Sequence, residues 1–405
     1  MTTTATAEAA VGDKPKSERV LALDVLRGIA ILGTLASNVW IFTSGFGTLR
    51  GSSAASSWLY NFSGWLPNGK FLGLLTIMFG IGLEIQRQSA LRAGARWPGK
   101  YPVRALLLFA DGVLNYIFVV QFDVLRAYAV VGVLVAFLLL TSERVQYWLI
   151  GLFLTVHFAV MAWQGHRSSV ERPEMDPPPM DPTRMDLTRA DTLPSDTISS
   201  SYLAEVVSNI KGLGWSFGYG SEFLTILLMG LGLFLLGAKL YRIGIFTEER
   251  RRLRFAMMSF GFGVALPLDY LLSMTSVFPS SLNQFARYGA AAGVALGILA
   301  LTGEYIGRRG RVGAPRRMLS NVGRMALSCY LLQNVLGVLA QRLLFNRPFF
   351  QQLDPTYGTY AVFATISALL IVFSWAWLRK FTRGPFELAW NWSYRMLTRE
   401  GRDTE

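Results

Sequence analysis

The chain has 405 residues, of which 52% are hydrophobic and only 16% charged, with a mean hydropathy of +0.36. So little charge cannot cover a soluble protein of this length, and so much apolar sequence excludes intrinsic disorder. The net charge of +13 would suggest nucleic acid in a soluble domain, but on the loops of a membrane protein it encodes topology instead.

Apolar runs of about 18 to 22 residues match a hydrocarbon core of roughly 30 Å. They predict an all-α bundle of ten spans near 20–42, 70–87, 104–121, 123–141, 145–163, 221–240, 255–277, 284–302, 321–344 and 358–380. Residues 1–19 read as a polar cytoplasmic tail, and no small-x-small cleavage site follows the first run, so that run stays as a span. With the N-terminus inside, most of the 39 basic residues fall on cytoplasmic segments, as the positive-inside rule requires. These include Arg87 to Arg104, Arg250 to Arg254, the group Arg308, Arg309, Arg311, Arg316 and Arg317, and the tail 381–405. Both termini are therefore expected in the cytoplasm, and the protein in the cytoplasmic membrane.

Ionisable and amide groups at membrane depth are costly, so they mark candidate sites. In the first span Asp24 and Arg27 stand three residues apart on one helix face. They are either an intrahelical ion pair near the headgroups or a site where Arg27 meets an anion such as a coenzyme phosphate. Asn38 lies three turns further on. The second span opens at Lys70, which either snorkels to the interface or faces a site, and its Gly80 and Gly82 permit close helix approach. The third span carries Asp111 and Asn115, and a short turn leads to Asp123 and Arg126 at the head of the fourth. Polar groups from consecutive spans thus gather toward the outer leaflet. His157 in the fifth span reads as an interhelical hydrogen-bonding group or as a base approaching that site.

Residues 164–215 break the pattern with Pro173, Pro177, Pro178, Pro179, Pro182 and Pro194 among Asp and Thr, and read as an external linker between five-span halves 20–163 and 216–380. The seventh span holds Pro267 and Asp269, a kink on its own account, and the eighth opens near Asn283 and Arg287. One cysteine, Cys329, and two histidines, His157 and His166, exclude an internal disulfide and give no basis for a metal site.

Four segments together resemble the YeiB family of bacterial membrane proteins, related to heparan-alpha-glucosaminide N-acetyltransferase within the transmembrane acyltransferase superfamily. They are Arg19 to Gly33 with Asn38, Gly69-Lys70-Phe71 running to Gly82, Asp123-Val124-Leu125 with Tyr128, Ala129 and Gly132, and Gly323 to Ser328 with Tyr330 to Gln333. Gly384 to Trp390 resembles the family's C-terminal signature. The resemblance implies an acyltransferase that takes an acyl group, acetyl the expected one, from acyl-coenzyme A in the cytoplasm. The acceptor would be a glycan, lipid or small metabolite reached from outside. On this reading Arg27, Asp24 and Arg324 hold the coenzyme, Lys70, Arg126 and Asn38 shape the acceptor end, and Asp123 with Asn115 serves the chemistry. Many relatives carry a histidine where this chain has Asn115, eight residues before Asp123, and an amide can neither take nor give a proton near neutral pH. The resemblance needs membrane lipids as surroundings but no metal and no nucleic acid, and is compatible with a homodimer. Two other readings stand beside it: a metabolite transporter with two five-span halves of opposite orientation, and a catalytically silent lipid-binding relative.

Overall fold

The structure is a computed structural model that describes residues 14–43, 54–171, 202–218, 221–279, 282–307, 313–344 and 347–398. Hydrocarbon offers backbone N–H and C=O groups no water, so long apolar runs satisfy them internally as helices. The chain forms α1 (Lys14–Phe42), α2 (Ala54–Trp65), α3 (Lys70–Arg92), α4 (Tyr101–Phe118), α5 (Leu125–Leu138), α6 (Glu143–Glu171), α7 (Tyr202–Gly212) and α8 (Glu222–Arg242). Then come α9 (Arg251–Phe260), joined through a π-helical turn at Gly261–Ala265 to α10 (Leu266–Met274), and α11 (Asn283–Phe285), joined through Ala286–Ala290 to α12 (Ala291–Gly307). Last are α13 (Ala314–Arg324), α14 (Ala326–Leu344), α15 (Pro348–Gln352), α16 (Pro355–Trp377) and α17 (Pro385–Thr398). Helix starts follow local chemistry: Ser221 Oγ accepts from the Leu224 N–H to cap α8, and Asp354 caps α16 just ahead of Pro355.

Among the described residues eight stretches are long and apolar enough to cross a membrane. They are carried by α1, α2–α3, α6, α8, α9–α10, α11–α12, α14 and α16, and the protein is a multi-pass membrane protein. Against the expected ten, the runs at 104–121 and 123–141 fold as α4 and α5, of 18 and 14 residues, which are not among the eight. The apolar α5 has 14 residues, about 21 Å of helix against a core of roughly 30 Å. Its partner α4 carries Arg104, Asp111 and Asn115 within 18 residues. The two form a tight hairpin in which Gly112 lets the backbone of Arg126 come close.

Ion pairs and hydrogen bonds sort the helix termini into two ends. At one, which holds the start of α1 and is called here the near end, Glu84 of α3 meets Arg242 of α8, Gln86 meets Arg104 of α4, and Arg254 of α9 meets Glu304 of α12. At the far end Lys70 of α3 meets Asp269 of α10, and Arg287 meets both Asn68 and Glu222. Helices from 20–163 and 216–380 interleave: α3 packs on α8 with Gly80 and Gly237 at the crossing, each facing the other helix's backbone carbonyls. The main apolar core lies among α3, α5, α8 and α12, and a second among α1, α14 and α16. The Pro-rich residues 172–201, the tail 1–13 and Arg308, Arg309 and Arg311 lie outside the described residues.

The amphipathic helices α13 and α17 belong to the near end. Gly28 and Gly323 bring the backbones of α1 and α13 together, a Cβ at Gly323 falling on the Asp24 carbonyl. Helix α17 is tied in by Glu387, whose carboxylate accepts from the Leu327 and Ser328 N–H groups at 2.8 and 3.2 Å and so caps α14. Ser328 Oγ also bonds to it. Glu387→Gln is expected to cost about 1–2 kcal/mol, read as a lower unfolding temperature of the purified protein in detergent.

Candidate functional site

The turn between α4 and α5 places a carboxylate inside the protein. Helix α4 ends by winding two amides, Val119 and Val120, onto the Asn115 carbonyl at 2.8 and 2.9 Å. The chain then folds back so that Asp123 Oδ1 accepts from the Leu125 N–H at 2.6 Å, opening α5. Asp123 Oδ2 accepts from Asn115 Nδ2 at 3.2 Å, and the Tyr330 hydroxyl of α14 stands 3.5 Å from Oδ1. Asp123 is 4% exposed, so three donors from three elements hold a buried carboxylate. The Asn115 Oδ1 is buried without a partner.

A narrow cavity of about 40 Å³ lies against the residues on either side of Asp123, which does not itself line it, with room for one or two waters. Thr34, Ser37 and Asn38 line it from α1, Phe122 and Val124 from the turn flanking Asp123, and Tyr330 from α14. Its far rim is Arg287 and Glu222, paired at 3.2 Å, with the Tyr288 hydroxyl donating to the same Glu222 oxygen at 3.0 Å. Behind Tyr330, Gln333 donates to Thr34 Oγ1 at 3.4 Å and leaves its own Oε1 buried without a partner, while Asn334 lies beside the Tyr330 hydroxyl.

The structure brings Asn115 and Asp123 together and sets Asn38 on the cavity wall. Arg126 is buried next to Asp123, with its guanidinium between the rings of Tyr116 and Phe217, 4.1 and 5.2 Å from their centroids. Its Nη1 donates to Ser216 Oγ at 2.7 Å, so it fastens the segment after α7 over the hairpin. Lys70 turns away from the cavity to Asp269, 2.6 Å distant, and sits over the Trp65 ring. Asp24 and Arg27 pair at 3.4 Å at the near end, beside Arg324, whose Nη2 donates to the Thr382 carbonyl at 3.2 Å. Eleven residues of α1, about 16 Å, separate Arg27 from Asn38, and no near-end residue lines the cavity. His157 faces the Tyr288 carbonyl at 3.1 Å behind the rim, and Cys329 is buried. Asp111 lies on α4 away from the lining.

Four lining residues escaped the sequence reading as site groups: Thr34, Ser37, Glu222 and Tyr330. The first two had a signal, because Thr34, Ser37 and Asn38 follow the i, i+3, i+4 spacing of one helix face. Tyr330 had none beyond the quoted motif.

Residues 240–396 match the family described as "Protein of unknown function (DUF418)". The chain is 27% identical over 408 residues to the uncharacterized protein YeiB of Escherichia coli (strain K12), covering 94% of this chain and 96% of that protein. It is 24% identical over 391 residues to the uncharacterized protein YxaH of Bacillus subtilis (strain 168), covering 92% and 94%. The chain is thus similar to these two proteins over nearly its whole length and to the DUF418 family over residues 240–396.

Proposed function

We propose that this YeiB-like protein is an acyltransferase of the cytoplasmic membrane. It moves a short acyl group, acetyl in the leading case, from acyl-coenzyme A at the near end to an amine or hydroxyl of a glycan, lipid or metabolite entering from the far end. The observation that carries the reading is Asp123: a buried carboxylate fixed by three donors, one of them the hydroxyl of Tyr330, which lines the adjoining cavity. Asp123 takes the proton of the attacking amine or hydroxyl. The new C–N or C–O bond forms as the thioester C–S bond breaks, and the coenzyme leaves as a thiolate that takes up a proton. The Tyr330 hydroxyl is positioned to donate to the developing oxyanion. Asn115 takes no proton in this scheme; it orients Asp123.

At the near end two guanidiniums, Arg27 and Arg324, stand against the single carboxylate of Asp24, and the Arg27 side chain is 36% exposed. A net positive, accessible pair suits a coenzyme phosphate. The basic near end faces the cytoplasm on this reading.

The test is binding of acetyl-coenzyme A to the purified protein in detergent. Wild type is expected to bind and Arg27→Ala to bind roughly ten-fold more weakly, the equivalent of one charge-assisted contact. No binding to wild type, or binding indifferent to Arg27→Ala, removes the coenzyme assignment. The transporter reading draws on one feature, the π-helical turns that interrupt α9–α10 and α11–α12, the second of which carries Arg287 of the rim. Solute uptake into vesicles without any acyl donor would favour it.

A further inference from the structure

Helix α17 meets the bundle with one face only. Glu387, Trp390, Asn391 and Tyr394 turn inward, with Arg104 over the Tyr394 ring at 4.6 Å and Glu387 on the start of α14. The opposite face leaves Phe386, Trp392, Met396 and Leu397 exposed, Trp392 to 63%. This apolar strip continues that of α16, where Leu369, Val372 and Trp375 are also exposed, so the same solvent that covers a membrane span reaches the surface helix. Four basic side chains border the strip, Arg379, Lys380, Arg383 and Arg395, all exposed. The one carboxylate among residues 378–398, Glu387, is consumed in capping α14. The exposed surface of the helix and of the turn leading into it, over residues 378–398, is therefore apolar and cationic with no compensating acid.

We infer that α17 lies in the membrane interface at the near end and seats anionic phospholipid headgroups on Arg379, Lys380, Arg383 and Arg395, with Trp392 and its apolar neighbours in the acyl boundary. A surface helix with a broad apolar face flanked by Lys and Arg has this arrangement as its stable position, and each basic residue near an anionic leaflet adds to the binding. Charge complementarity selects the occupant: a second copy of this chain would bring the same positive surface against itself. Because Glu387 joins α17 to the first turn of α14, and Tyr330 follows two residues after Ser328, the seat of this helix in the leaflet also fixes the end of α14 that carries Tyr330. The inference does not depend on acyl transfer.

The experiment uses the full chain in nanodiscs of phosphatidylglycerol or phosphatidylcholine whose acyl chains are brominated near the headgroup. The tryptophan emission lost on Trp392→Phe isolates the contribution of that residue. It is expected to be quenched by bromine and protected from aqueous iodide. In mixed bilayers the lipid retained on the protein should favour phosphatidylglycerol, and a triple variant, Arg379→Gln with Lys380→Gln and Arg383→Gln, should lower that preference roughly ten-fold. All four substituted side chains are exposed, so folding is retained. A Trp392 component open to iodide and indifferent to bromine overturns the inference, as does equal retention of the two lipids. Trp392 quenching relieved on dilution to monomers would assign the face to a second copy instead.

Discussion

Asp123→Asn is expected to lower the rate of acyl transfer about 10²- to 10⁴-fold while leaving the protein folded and acetyl-coenzyme A binding unchanged. The substitution keeps size and shape. An Asn at this position still accepts from the Leu125 N–H through its carbonyl oxygen, where Asp123 Oδ1 now sits at 2.6 Å. Its new NH₂ group would face the Asn115 NH₂, but Asn115 Oδ1 is buried without a partner. A turn of the Asn115 amide thus converts a clash of donors into a hydrogen bond. What is lost is the capacity to take a proton from the acceptor. The measurement is thioester consumption with a panel of amine and hydroxyl acceptors, alongside the unfolding temperature in detergent. Turnover at the wild-type rate in Asp123→Asn removes the carboxylate from the chemistry. Coenzyme binding without turnover in the wild type would favour the silent relative in which Asn115 has ended the reaction.

Most of the scaffold was legible because a membrane span must be apolar along its whole length, and few soluble patterns imitate that. The same criterion counted α4 and α5 as spans, where the structure gives helices of 18 and 14 residues outside the eight long apolar stretches. Residues 104–121 and 123–141 are two apolar runs separated only by the turn at Phe122, and an apolar run does not fix the length of the helix that forms within it. It also passed over α13 and α17, whose charged and apolar residues alternate by helix face, so that neither forms an apolar run. Within the site, Asn115 and Asp123 could be related because eight residues in a hairpin bring them together. Arg126 was expected at the acceptor end, but its fate depends on Ser216 and Phe217 across the Pro-rich segment. Lys70 depends in the same way on Asp269 in a distant helix. Residue type signalled that these charges had work to do, whereas the choice between substrate and structural partner is a tertiary matter that one sequence does not carry.

Lys70 makes that choice measurable. Its ammonium and the Asp269 carboxylate are 3% and 2% exposed and 2.6 Å apart, and the ammonium also donates to the Trp65 carbonyl at 3.0 Å. The pair thereby ties the α2–α3 turn to α10 at the far end. Two charges taken out of water together are compensated by each other; removing one leaves the other buried and unpaired. Lys70→Ala is therefore expected to cost about 3–5 kcal/mol, and Asp269→Ala a similar amount. Removing both charges in Lys70→Met with Asp269→Leu should recover most of the loss, because an apolar pair of like volume needs no hydration and fits a bilayer-embedded helix contact. Unfolding temperatures of the three variants in detergent, combined as a double-mutant cycle, read the coupling directly. If Lys70→Ala instead unfolds at the wild-type temperature and weakens only acceptor use, the ammonium serves the substrate and the ion pair is incidental. A large coupling energy together with unchanged acceptor kinetics in the double variant confines Lys70 to holding the α2–α3 turn against α10 at the far end.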